Sequence, residues 1–79
     1  MNKVFVVSKQ SRYGTIDLHA FTEKSKAANY AIDYIHRNST LEDQQERIQK
    51  EEYSHYTEYY LYTQRYGIIT LRVSEITLN

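Results

Sequence analysis

The sequence predicts an α+β domain: a four-stranded antiparallel sheet in the order β-β-α-α-β-β, with the helices on one face. Three observations predict it. Two stretches of alternating apolar residues are each hinged on one of the chain's two glycines, Gly14 and Gly67, which is the pattern of two β-hairpins. Between them Ala28, Ala31, Ile32 and Ile35 recur at the spacing of one helical face. Finally, 79 residues with no cysteine read as one domain, residues 1–79, whose stability must come from packing or from a partner.

The elements follow in chain order. Lys3–Ser8 holds Val4, Phe5, Val6 and Val7, residues that favour strands. Ser11-Arg12-Tyr13-Gly14 is the turn, with glycine able to take positive φ. Thr15–Phe21 then alternates: Ile16, Leu18 and Ala20 on one side, Thr15, Asp17, His19 and Phe21 on the other. Thr22 is placed to cap a helix with its hydroxyl, and Glu23 suits the positive end. Small alanines let this helix lie close to a sheet, Tyr30 and Tyr34 flank its apolar stripe, and Asn38 or Ser39 ends it. Thr40-Leu41-Glu42-Asp43 resembles a second N-cap. The segment to about Tyr53 is rich in helix formers, and Asp43–Arg47 and Glu46–Lys50 are spaced as ion pairs, worth about 0.3–0.5 kcal/mol each. Its apolar residues are only Leu41, Ile48 and Tyr53, so this second helix is expected to be solvated or covered by a partner. Tyr56–Tyr66 and Ile68–Leu78 make the second hairpin. Ile69, Leu71 and Val73 point inward with Tyr59 and Leu61, while Tyr56, Tyr60 and Tyr62 take the other side. That second side of the sheet is expected to be partly open.

Composition narrows the function. No stretch approaches the ~20 apolar residues of a membrane span, and Val4–Val7 behind Lys3 is too short for a signal-peptide core. The chain reads as cytoplasmic. Net charge is zero but sorted: residues 42–58 carry six acids against Arg47 and Lys50, a net of −4, and the remainder carries +4. A neutral protein can therefore present a basic face. Catalysis, cofactor and metal are not expected. His19, His36 and His55 lack metal-ligand spacing, and Glu52-x-x-His55 is half of a carboxylate–histidine motif without its other half. Two glycines make no phosphate loop, and no serine sits in a nucleophile elbow.

Binding is the remaining reading. The two hairpins share a pattern: Arg12-Tyr13-Gly14 with Ile16 and Leu18, and Arg65-Tyr66-Gly67 with Ile69 and Leu71. Arginine offers a fork to phosphate and tyrosine a ring to a base. Arg12, Tyr13, Arg65 and Tyr66 are thus candidate RNA contacts, with Lys9, Lys24, Lys26, Arg37 and Arg72 as further cations. Six tyrosines fall between residues 53 and 66. An exposed row of Tyr56, Tyr60 and Tyr62 suits a protein interface or stacked bases, worth ~1–3 kcal/mol each. A short chain without a covalent staple, carrying that much aromatic surface, is also expected to form a two-fold homodimer.

Residues 3–37 run from hydrophobic strand through glycine turn and alternating strand into Thr22-Glu23-Lys24-Ser25-Lys26-Ala27-Ala28-Asn29-Tyr30-Ala31. This succession resembles small early proteins of T-even-type bacteriophages, in which a hairpin leads into a Thr/Ser-capped, Lys/Ala-rich helix. The resemblance implies a host-takeover or counter-defence factor acting in the host cytoplasm. One class of similar size is the phage inhibitors of ribonuclease toxins from toxin–antitoxin systems, some of them dimeric RNA-binding proteins. It implies that the chain neutralises a host defence protein, with RNA bound directly or in the complex. The alternative is a pure protein–protein inhibitor or structural module without nucleic-acid affinity. The resemblance assigns no site residue and stops short of the tyrosine-rich hairpin.

Overall fold

A computed structural model describes residues 2–40 and 47–78. Its elements are β1 (Asn2–Ser11), β2 (Gly14–Phe21), α1 (Lys24–Arg37), β3 (Gln49–Glu52), β4 (Tyr56–Thr63) and β5 (Gly67–Leu78). The strands form one sheet in the order β2-β1-β5-β4-β3, with every neighbouring pair antiparallel. The two ends of the chain meet at its centre, where β1 and β5 pair from Asn2↔Leu78 to Gln10↔Thr70.

This corrects the expected four strands and two helices: the described chain has five strands and one helix. Residues 41–46 of the expected second helix lie outside the described residues. Its later part, Gln49–Glu52, is a strand paired with Thr57–Tyr60. Gln-Lys-Glu-Glu has good helix propensity but no apolar stripe with which a helix could be held down. As a strand it satisfies the backbone edge that β4 would otherwise leave bare, and a short charged strand is a poor template for further pairing. Lys50 pairs with Glu52 at 3.1 Å; its expected partner Glu46, like Asp43, the expected partner of Arg47, lies outside the described residues.

The helix also starts later than expected. Glu23 is its N-cap and makes no side-chain cap bond, while Thr22 and Glu23 form the bend out of β2. Phe21, pinned 5.6 Å from the Tyr30 ring, sets where that bend must fall. Asn38 closes the helix as expected: its amide Nδ2 donates to the Tyr34 carbonyl at 2.8 Å.

Ala27, Ala31 and Ile35 of α1 are buried against Val7 of β1, Tyr59 and Leu61 of β4, and Ile69, Leu71 and Val73 of β5. Ala28 and Ile32, expected in the same stripe, are partly buried at its side. Small side chains at positions 27 and 31 bring the helix backbone onto the sheet, which suits a core this thin. β2 departs from plain alternation. Its register jumps from Val7↔His19 to Ser8↔Asp17, leaving Leu18 as the extra residue of a bulge. The bulge lets His19 and Phe21 face α1, with ring centroids 5.5 and 5.6 Å from Tyr30, while Ile16 stays exposed. The helix covers one side of the sheet, and no other described element covers the second side. No described helix is long and apolar enough to cross a membrane.

Candidate functional site

Because β1 and β5 pair as central strands, the β1–β2 and β4–β5 turns lie at the same end of the sheet. The two turns are built alike. Ser11 Oγ donates to the Gly14 carbonyl at 3.0 Å and accepts the Tyr13 amide at 3.2 Å. Thr63 Oγ1 donates to the Gly67 carbonyl at 2.7 Å and accepts the Tyr66 amide at 3.1 Å. Gly14 and Gly67 sit at φ 126° and 71°, which a side chain would resist. Each hydroxyl fixes the tyrosine backbone, and each arginine then lies over its own neighbour's ring: Arg12 at 5.6 Å from Tyr13 and Arg65 at 5.4 Å from Tyr66. The rings are largely exposed, so the arginines are steered without being consumed.

A cleft of about 690 Å³ opens between the tips, within the range of a small-ligand or nucleotide site. Arg12 and Tyr13 form one wall, Tyr66 the other, and Tyr34 and Asn38 from the end of α1 close the back; Ile69 and Thr70 contribute to the floor. Lys9 enters from β1, its Nζ 5.9 Å from the Tyr34 ring centroid. No carboxylate is among the described lining residues. The negative end of the helix lies here too, but Asn38 occupies the Tyr34 carbonyl and His36 and Arg37 stand in the last turn.

The structure thus brings Lys9, Arg12, Tyr13 and Tyr66 together, whereas Arg65 does not line the cleft and lies over the Tyr66 ring. Arg37 stands near this end, donating from Nε to the Asp33 carbonyl. Lys24 and Lys26 stand at the opposite end of the 14-residue helix, about 20 Å away at 1.5 Å per residue, and Lys26 pairs with Glu23 at 3.4 Å. Arg72 is on the uncovered face, held by Glu58. Tyr34, Asn38 and Thr70 escaped the sequence reading as site residues. The spacing Tyr30, Tyr34, Asn38 on one side of α1 was the available signal.

The uncovered face has a different make-up. Register places Tyr56, Glu58, Tyr60 and Tyr62 of β4 beside Ile68, Thr70, Arg72 and Ser74 of β5. Arg72 donates to Glu58 from Nη2 at 3.1 Å and Nε at 3.4 Å, with its guanidinium 4.2 Å from the Tyr56 ring centroid. Glu51 of β3 accepts the Tyr53 hydroxyl at 2.6 Å and the Tyr60 hydroxyl at 3.1 Å. Those hydrogen bonds, followed by partial burial, push the Tyr53 phenol up to about 12 and raise that of Tyr60. On the helix side of the same strand, the hydrogen bond between Lys50 and Glu52 raises the lysine and lowers the carboxyl. Among the described residues no group of three or more His, Cys, Asp or Glu is arranged to hold a metal ion. Compared with protein-family models, with curated proteins and with solved structures, the chain matches none.

Proposed function

We propose that the chain is a small RNA-binding module that takes single-stranded RNA at the cleft between its two Arg-Tyr tips, and that it acts as a phage-type counter-defence factor. One observation carries the RNA reading: Arg12 and Tyr13 of one turn and Tyr66 of the other line a single cleft that also holds Lys9 and no described carboxylate. Cations and exposed rings in a concave site match unpaired nucleotides, whose phosphates and base faces are both accessible; a duplex hides its base faces in the stack. The counter-defence role is supported by the resemblance of residues 3–37 to T-even early proteins, and a host ribonuclease that shares the RNA is its natural target.

The test is a salt titration of labelled single-stranded RNA. Each phosphate neutralised contributes about 0.7 to the slope of log affinity against log salt for single strands. Lys9, Arg12 and Arg65 together give a slope of about −2, and changing Arg12 and Arg65 to Ala lowers its magnitude by about 1.4 with little loss of stability. No binding at ~50 mM salt, or a slope indifferent to the double change, would sink the reading. Co-expression with candidate ribonuclease toxins then asks whether the same double change abolishes protection. Protection that survives it moves the function to a protein–protein inhibitor, which the acidic, tyrosine-lined face favours.

A further inference from the structure

We infer that the uncovered face of the sheet is a docking surface for a basic, arginine-bearing segment of a partner protein. The charged residues that strand register puts on this face are Asp17, Glu51, Glu58 and Arg72, three carboxylates against one guanidinium. Glu51 and Glu58 stand directly opposite each other across the β3–β4 ladder, a like-charge cross-strand pair that is unfavourable in the free protein. Arg72 relieves it on the Glu58 side alone, where it bonds the carboxylate and lies over Tyr56. The face therefore already shows how it holds a guanidinium: one carboxylate plus one tyrosine ring.

A second carboxylate on this face, Glu51, belongs to none of the described ion pairs. Its oxygens accept the Tyr53 and Tyr60 hydroxyls, and it lines a shallow trough of about 390 Å³ together with the Glu58–Arg72 pair, Tyr60, Tyr62 and Ile68. The Tyr60 and Tyr62 rings meet edge to face at 6.2 Å, and Tyr62 is 66% exposed. A guanidinium entering the trough finds the Tyr62 ring and the Glu51 carboxylate on its walls and offsets the like charge that Glu51 and Glu58 set against each other. Ile68, Ile76 and Leu78, all exposed on this side of β5, add apolar contact along the segment. A second copy of the chain is the competing occupant, and charge decides against it. Pairing this face with itself sets six carboxylates against two guanidiniums, whereas a basic segment is complementary throughout. Proteins that handle nucleic acid present such basic surfaces, so the face and the tip cleft could engage one ribonucleoprotein target together. The inference stands on its own if the RNA reading fails.

The experiment measures fluorescence anisotropy of a short labelled oligoarginine peptide, and of an oligolysine peptide of equal length, against the intact protein. Oligoarginine is expected to bind more tightly, because a guanidinium stacks on a ring where an ammonium does not. Glu51→Gln and Tyr62→Leu are each expected to weaken it about tenfold, while Glu23→Gln on the helix leaves it unchanged. Tyr62→Leu keeps an apolar side chain at an exposed position, so a loss of binding there is not a loss of fold; circular dichroism confirms it. Equal binding of the two peptides, or equal loss from Glu23→Gln, reduces the effect to general acidity and overturns the inference. So does a dimer in sedimentation equilibrium that Tyr62→Leu dissociates, because the second copy then owns the face.

Discussion

The hairpin tips and the uncovered face use the same two residue types in opposite ways. At the tips, Arg12 and Arg65 lie over their neighbouring tyrosines, and no described carboxylate pairs with either. On the face, Arg72 lies over Tyr56 and is bonded to Glu58. A ring steers a guanidinium without neutralising it, whereas a carboxylate neutralises it. The first end is therefore left attractive to anions, and the second is left with surplus carboxylate and attractive to cations. Both regions mix arginine with tyrosine; the position of Glu51 and Glu58 separates them.

The largest expected effect removes the ground the two regions share. Leu61 lies on β4 between Tyr60 and Tyr62, pointing to the core, and is 1% exposed. Leu61→Ala should cost about 2–5 kcal/mol, a large fraction of the stability of so small a domain. Chemical denaturation should show a lower midpoint, and both RNA and peptide binding should fall together. If RNA binding persists undiminished when the core is unfolded, the tips act as a peptide and their placement by the fold is irrelevant.

A smaller effect distinguishes the two tips from one another. Both turns rest on a hydroxyl, but Thr63 is buried and Ser11 is exposed. Thr63→Val leaves the Tyr66 amide and the Gly67 carbonyl without that partner at a site the Thr63 side chain partly shields from water, at about 1–3 kcal/mol. Ser11→Ala lets water replace the hydroxyl and should cost less than about 1 kcal/mol. Denaturation midpoints of the two variants check this. Equal losses would mean that the Ser11 turn is as rigid as the Thr63 turn, and the cleft would then have two fixed walls.

What was legible in the sequence follows the range of the interactions responsible. Both glycine turns, the inward run Ile69, Leu71, Val73 and the helix end at Asn38 rest on local preference and were readable. The opposed sides of Tyr59 and Tyr60 follow from period two alone. Gln49–Glu52 was misread because its helix propensity is local, while the reason for its strand, the bare edge of β4, lies elsewhere in the chain. The bulge at Leu18 was invisible because β2 is rotated to serve Tyr30 on the helix. The shared Arg-Tyr-Gly pattern was visible; that the two copies meet was not, because it depends on β1 pairing with β5 from opposite ends of the sequence. The turn hydroxyls were obscured for a simpler reason: aligning the two turns on Arg-Tyr-Gly puts Ser11 opposite Gln64, while the matching hydroxyl is Thr63, one residue earlier.

The smallest effect probes the surplus charge on the open face directly. Tyr53 donates its hydroxyl to Glu51, and ionising it would set a phenolate against that carboxylate. The folded protein therefore keeps this proton up to about pH 12, against 10 for an ordinary tyrosine. A group with a raised folded pKa binds its proton more tightly when folded. Its contribution is complete below about pH 10 and is lost as pH rises through about 12, so stability falls across that window. The ultraviolet phenolate band follows the titration, and the difference between the natural protein and Tyr53→Phe isolates this phenol among the nine. Glu51→Gln keeps an oxygen acceptor but removes the charge, so the Tyr53 midpoint should move down toward the ordinary value. A midpoint that stays near 12 without the Glu51 carboxylate would show that the hydrogen bond and burial, not charge, set the proton affinity, and would leave the face without the unmatched negative charge that distinguishes it from the tips.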